Sequence, residues 1–101
     1  MPTLTYEQFR ASLQGSVPPP GLDPLTEALW YDGKGDWEKA HDLAQTRHTP
    51  PYCQLHAYLH RKEGDPSNAR YWYNRAGKSM PNVPLAQEWE ELVREWLIVV
   101  R

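Results

Sequence analysis

Gly35-Asp36-Trp37-Glu38-Lys39-Ala40 is answered 29 residues later by Gly64-Asp65-Pro66-Ser67-Asn68-Ala69. The same offset joins Ala28 to Ala57 upstream and Leu43 to Trp72, both large and apolar, downstream. Each copy reads as a helix, a Gly-Asp turn and a second helix. Self-similarity at such a period marks stacked helical hairpins, in which each hairpin buries against its neighbour a face it cannot bury alone. Stacks of that kind usually bind partners rather than transform them.

Outward from the echo, punctuation and periodicity divide the chain. Thr5-Tyr6-Glu7-Gln8 fits a capping box, with Thr at the cap and Gln three residues on. It opens a helix over 5–15 that carries Tyr6, Phe9 and Leu13 on one stripe. Residues 16–23 hold Pro18-Pro19-Pro20, an extended connector. The first hairpin spans 24–47: Asp23-Pro24 starts a helix through Leu25, Ala28 and Leu29 that stops at Asp32-Gly33-Lys34-Gly35. Asp36 caps its second helix, with Trp37, Ala40, Leu43 and Ala44 at helical spacing. The second hairpin spans 50–78, where Ala69, Trp72, Tyr73 and Ala76 form a stripe behind the Asp65-Pro66 cap. After a break at Ser79–Pro84, residues 84–100 hold the cleanest apolar face: Leu85, Trp89, Leu92, Val93, Trp96, Leu97 and Val100. That helix is expected to close the open end of the array by covering the second hairpin. No segment alternates with period two, so the expectation is one all-α domain over 1–101.

Bulk composition narrows the function classes. The chain of 101 residues is 40% hydrophobic and 24% charged, with a net charge of -2, which suits a single folded domain. Its acids and bases are mixed, so no basic stripe is offered to nucleic acid. No apolar run reaches the roughly 20 residues of a membrane span. The start, Met1-Pro2-Thr3-Leu4, lacks a basic and an apolar signal region, so no signal peptide is expected. Cys53 stands alone, and a reducing cytoplasm is the expected home. Five Trp and six Tyr against one Phe imply a core of broad rings whose indole N–H and phenol O–H groups need partners.

The second hairpin, Ala57-Tyr58-Leu59-His60-Arg61-Lys62-Glu63-Gly64-Asp65 through Trp72-Tyr73-Asn74-Arg75-Ala76-Gly77, resembles tetratricopeptide and Sel-one-like repeats. Gly35-Asp36-Trp37-Glu38-Lys39-Ala40-His41 looks like a tetratricopeptide turn. The resemblance implies that the small Ala lets helices approach and that Trp and Tyr fill the groove between hairpins. It covers about half of the chain, and both repeat classes run longer than this period. In its Ala-His and His-Ala-Tyr-Leu-His-Arg segments the chain also resembles a small bacterial protein family of unassigned function.

One helix face concentrates chemistry. Cys53, His56, His60 and Glu63 lie three, four and three apart, which gathers metal-ligand side chains on one side of a helix. A helix gives a metal two ligands at i and i+4. From Cys53 to Glu63, however, it rises about 15 Å, against ligand distances of about 2.0–2.3 Å. Such a site would need His41 or His48. The favoured reading is a seam in which His56 and His60 hydrogen-bond between hairpins, with no metal and no cofactor. Dyads of Cys53 or His41 with His56 or His60 lack an orienting third group and an oxyanion signature. Arg70, Arg75 and Lys78 beside His60-Arg61-Lys62 read as a solvated charged face. Tyr71 falls off its helix's apolar stripe, so it is either exposed or contacts another element.

These features point to a noncatalytic helical-repeat protein that binds a protein, a peptide or a second copy of itself. Its groove would be lined by His41, Gln45, His56, His60 and Tyr73. The alternative is a small metal- or ligand-dependent enzyme built on Cys53, His56, His60 and Glu63.

Overall fold

Thr5 starts the first helix as its spacing predicts: its hydroxyl accepts from the Gln8 amide at 3.0 Å and its own amide donates to Gln8 Oε1 at 3.0 Å. The structure is a computed structural model and describes residues 4–99. Regular structure among these residues is entirely helical. The helices are α1 (Tyr6–Ser12), α2 (Pro24–Gly33), α3 (Trp37–Ala44), α4 (Pro50–Glu63), α5 (Pro66–Arg75) and α6 (Leu85–Val99). Met1–Thr3 and Val100, the last position of the predicted apolar face, lie outside the described residues.

The closest neighbours are α2 with α3 and α4 with α5, and α3 lies beside α4. The two turns inside these pairs are built alike. Gly35 and Gly64 take φ +88° and +89°, a left-handed conformation that favours glycine. The Asp36 amide donates to the Tyr31 carbonyl and the Asp65 amide to the His60 carbonyl, both at 2.9 Å. Each Asp side chain then caps the next helix, accepting from Lys39 or Asn68. Ala28, Ala40, Ala57 and Ala69 are all fully buried, so the small residues of the echo lie in the interior.

Helix α2 ends at Gly33, within the Asp32-Gly33-Lys34-Gly35 stop that the sequence predicts. A side chain at Gly33 would come within 3.1 Å of Leu13 Cδ2 and Trp89 Cζ2, so glycine lets α1 and α6 approach here. Helix α6 covers α2 and α1 rather than chiefly the second hairpin. Leu92, Val93, Trp96 and Leu97 enter one core with Phe9, Leu29, Trp30, Leu55 and Leu59. Trp89 explains that docking: its ring meets Phe9 and Tyr6 at 6.0 and 6.2 Å, and its indole donates to the Leu29 carbonyl at 2.9 Å. The indoles of Trp30 and Trp37 likewise donate to Ser12 Oγ at 3.0 Å and the Leu59 carbonyl at 2.8 Å. Broad rings fill this core because their polar tips are paired.

Two buried carboxylates tie α4 to its neighbours. Asp32, 2% exposed, accepts from Tyr58 at 2.7 Å and from Lys62 Nζ at 2.8 Å. Glu88, 3% exposed, accepts from Tyr73 at 2.5 Å and from Arg61 at 2.6 Å. Arg61 also donates to the Val83 carbonyl, which fixes the break before α6. Arg61 is thus largely drawn out of the expected solvated charged face, whereas Lys62 stays exposed while it pairs with a buried acid. Both phenols lose their acidity, first through burial and then through the neighbouring carboxylate, so they stay donors.

Candidate functional site

Helix α4 presents His56 and His60 one turn apart, and α3 lays His41 against them. The pairing follows from the neighbouring turns and caps: Asp36 starts α3 so that Trp37 and His41 share a face, and Trp37 anchors that face on the Leu59 carbonyl of α4. His41 Nε2 and His56 Nε2 stand 3.0 Å apart, so one ring donates and the other accepts. The rings of His56 and His60 are 4.7 Å apart and nearly parallel, and those of His41 and His60 are 5.4 Å apart. Glu63 accepts from His60 Nδ1 at 2.6 Å, which fixes that ring's tautomer.

Indoles hold two of the imidazoles in place. Trp37 stacks on His41 at 4.7 Å and 10°. Trp72 of α5 stacks on His56 at 4.0 Å and 12°. Burial and the crowding of like rings keep His41 below the usual histidine range. The same causes, with burial the largest, push His56 down to about 4. Near pH 7 both rings are neutral, the form in which imidazole acts as a ligand or base.

One ring nitrogen from each of His41, His56 and His60 lies within 4.8 Å of the others. His56 and His60 are buried and His41 is half-buried, so the cluster has one side toward solvent. The sequence places Cys53 and Glu63 beside these histidines, but the two have other roles here. Cys53 is buried and its thiol meets the His48 carbonyl at 3.5 Å. Glu63 stands behind His60 as its acceptor. Of the groove expected from the sequence, Gln45 is exposed and His41 is its neighbour on α3. Tyr73 is 1% exposed and turned to Glu88, so it props α6. The helical spacing signals His56 and His60; nothing local signals that His41 is the third imidazole.

The ring contacts continue past the histidines. Trp72 is half-buried, stacks with exposed His48 at 6.1 Å and meets Tyr71 edge-on at 5.2 Å. Tyr71 is 52% exposed. The Arg75 guanidinium lies 5.4 and 5.8 Å from the Trp72 and Tyr71 rings, and donates to the Tyr71 hydroxyl at 3.3 Å. A cleft of about 470 Å³ elsewhere is lined by Tyr6, Arg10, Trp89 and the Asp32–Tyr58–Lys62 group, whose polar atoms already pair with one another.

Among the described residues, no helix is long and apolar enough to cross a membrane. Comparison with protein-family models, with characterised proteins and with solved structures returns no match.

Proposed function

We propose that the chain is a noncatalytic helical-hairpin module that docks a protein or peptide on the face shared by α3, α4 and α5. The observation that carries this reading is the Tyr71–Trp72–Arg75 group. A half-exposed tyrosine and a half-buried tryptophan under an arginine fork have the composition of an interface anchor, where aromatic and Arg side chains are enriched. The ring contacts run from this group to His56, His41 and Trp37, so anchor and histidine seam make one continuous surface. His41, Gln45 and His48 would form its polar margin. The like-built Gly35-Asp36 and Gly64-Asp65 turns support kinship with helical-repeat binding modules, which offer such faces. A buried, free Cys53 suits a reducing, cytoplasmic setting.

The test is paired. Sedimentation of the full chain over a wide concentration range reads self-association, and crosslinking in its native cells reads other partners. Replacement of Tyr71 and Arg75 together by Ala should weaken the association at least tenfold while leaving the far-UV spectrum unchanged. An association the double variant retains in full, or a chain that neither self-associates nor crosslinks, overturns the reading.

A further inference from the structure

Beyond partner binding, we propose that His41, His56 and His60 form a binding site for a single divalent transition metal of the zinc class, with Glu63 as the outer group that orients His60. The donor set comes from two helices, which removes the limit that one helix supplies only two ligands. His56 and His60 bring the i, i+4 pair and His41 closes the triangle from α3.

The distances suit a metal. Nitrogens bound to tetrahedral zinc at about 2.0–2.1 Å lie about 3.3 Å from each other. The His41 and His56 Nε2 atoms are 3.0 Å apart, close to that edge, and the three nitrogens fall within 4.8 Å. Closing the triangle needs a movement of an ångström or so at one ring. In the metal-free pair one Nε2 carries a hydrogen; on binding, that ring passes this proton to solvent and takes one up on Nδ1, so both Nε2 lone pairs reach the ion.

The surroundings suit it as well. Metal-bound histidines characteristically donate their second N–H to a carboxylate, and His60 Nδ1 does so to Glu63 at 2.6 Å. That leaves Nε2 of His60 for the ion. The Trp37 and Trp72 stacks hold the His41 and His56 rings before any ion arrives. Three imidazoles without thiolate favour zinc, copper, nickel or iron over calcium or magnesium. Cys53 is turned to the His48 carbonyl and takes no part. Three protein ligands and a half-buried His41 leave a fourth position open to water or to a donor from another molecule.

The experiment uses full-length protein purified without an affinity tag, stripped with chelator and titrated with Zn²⁺ and with Co²⁺. The expected result is one equivalent bound, with visible Co²⁺ bands of a four- or five-coordinate site and no thiolate charge-transfer band. Glu63→Gln should weaken binding about 10–100-fold, as loss of an outer-shell carboxylate does. His41→Gln, its fold checked by an unchanged far-UV spectrum, should weaken it further, and Cys53→Ser should leave it unchanged. Absence of stoichiometric binding by the wild type overturns the proposal. So does affinity that survives His41→Gln, or affinity lost with Cys53→Ser. Partner binding is read separately, through Tyr71 and Arg75, so either idea can fail alone.

Discussion

Helix α4 takes part in two polar clusters and uses them in opposite ways. Its Arg61 and Lys62 meet Glu88 and Asp32, each a buried acid that also receives a tyrosine hydroxyl. Its His56 and His60 meet His41, a third group of their own kind. In the first cluster opposite charges and matched donors satisfy one another, and the result is a set of cross-links between helices. In the second, like groups crowd together and aim nitrogens at one place, and burial and then that crowding lower the basicity of His41 and His56. Complementary pairing yields structure; convergence of like ligands yields a site that a further species can complete. Substitutions on the two sides of α4 should therefore be read by different instruments, stability for the acids and ligand binding for the histidines.

The largest effect is expected at Glu88. Glu88→Ala leaves the mostly buried Arg61 guanidinium and the Tyr73 hydroxyl without their acceptor, at a cost of about 3–5 kcal/mol by urea denaturation. Glu88→Gln, which still accepts from Tyr73, should cost less. Equal losses would mean that the charge facing Arg61, and not the Tyr73 hydrogen bond, carries the whole effect. Asp32→Ala comes next, at about 1–3 kcal/mol. The Tyr58 hydroxyl is stranded in the interior, but Lys62 is 38% exposed and turns to water. A loss as large as that of Glu88→Ala would show that Lys62 is held in place by more than Asp32. Neither change should alter zinc affinity by more than a few-fold, which separates the two clusters.

What the sequence made legible follows the same division between local and distant causes. The Gly-Asp turns and the Thr5 capping box are decided by a few adjacent residues, and they stand in the structure as the spacing predicts. The apolar face of α6 was equally plain, but a stripe says only that something is covered. That it is α2 and α1 depends on Trp89 finding the Leu29 carbonyl, 60 residues away in the chain. The buried acids were hidden for that reason too: Asp32 looked like part of a turn, and its partners lie in another helix. Two of the three histidines in the cluster could be read from one helix. His41 could not be assigned as the third ring, because its place depends on how α3 rolls against α4. Cys53 shared a face with His56 by spacing, yet packing turned its thiol to a backbone carbonyl.

The smallest effect is also the one that tests the crowding directly. In chelator-treated protein, His56 is held down to about 4 against an ordinary 6.5, so the folded chain takes up fewer protons than the unfolded one. The sign follows. Stability from this group is fully present above about 6.5 and is lost progressively as pH falls toward about 4. His41, lowered for the same reasons, adds to the slope, while Glu63 and Asp42 nearby oppose it. With solvent screening of a seam open on one side, the loss by pH 5 should be on the order of 1 kcal/mol. His56→Gln keeps a polar side chain beside His41 and removes the titration. It should change stability at pH 7 by less than about 1 kcal/mol and flatten the melting temperature between pH 7 and 5. An unchanged slope in that variant would place the pH sensitivity outside the seam and remove the argument that burial and crowding hold His41 and His56 neutral there.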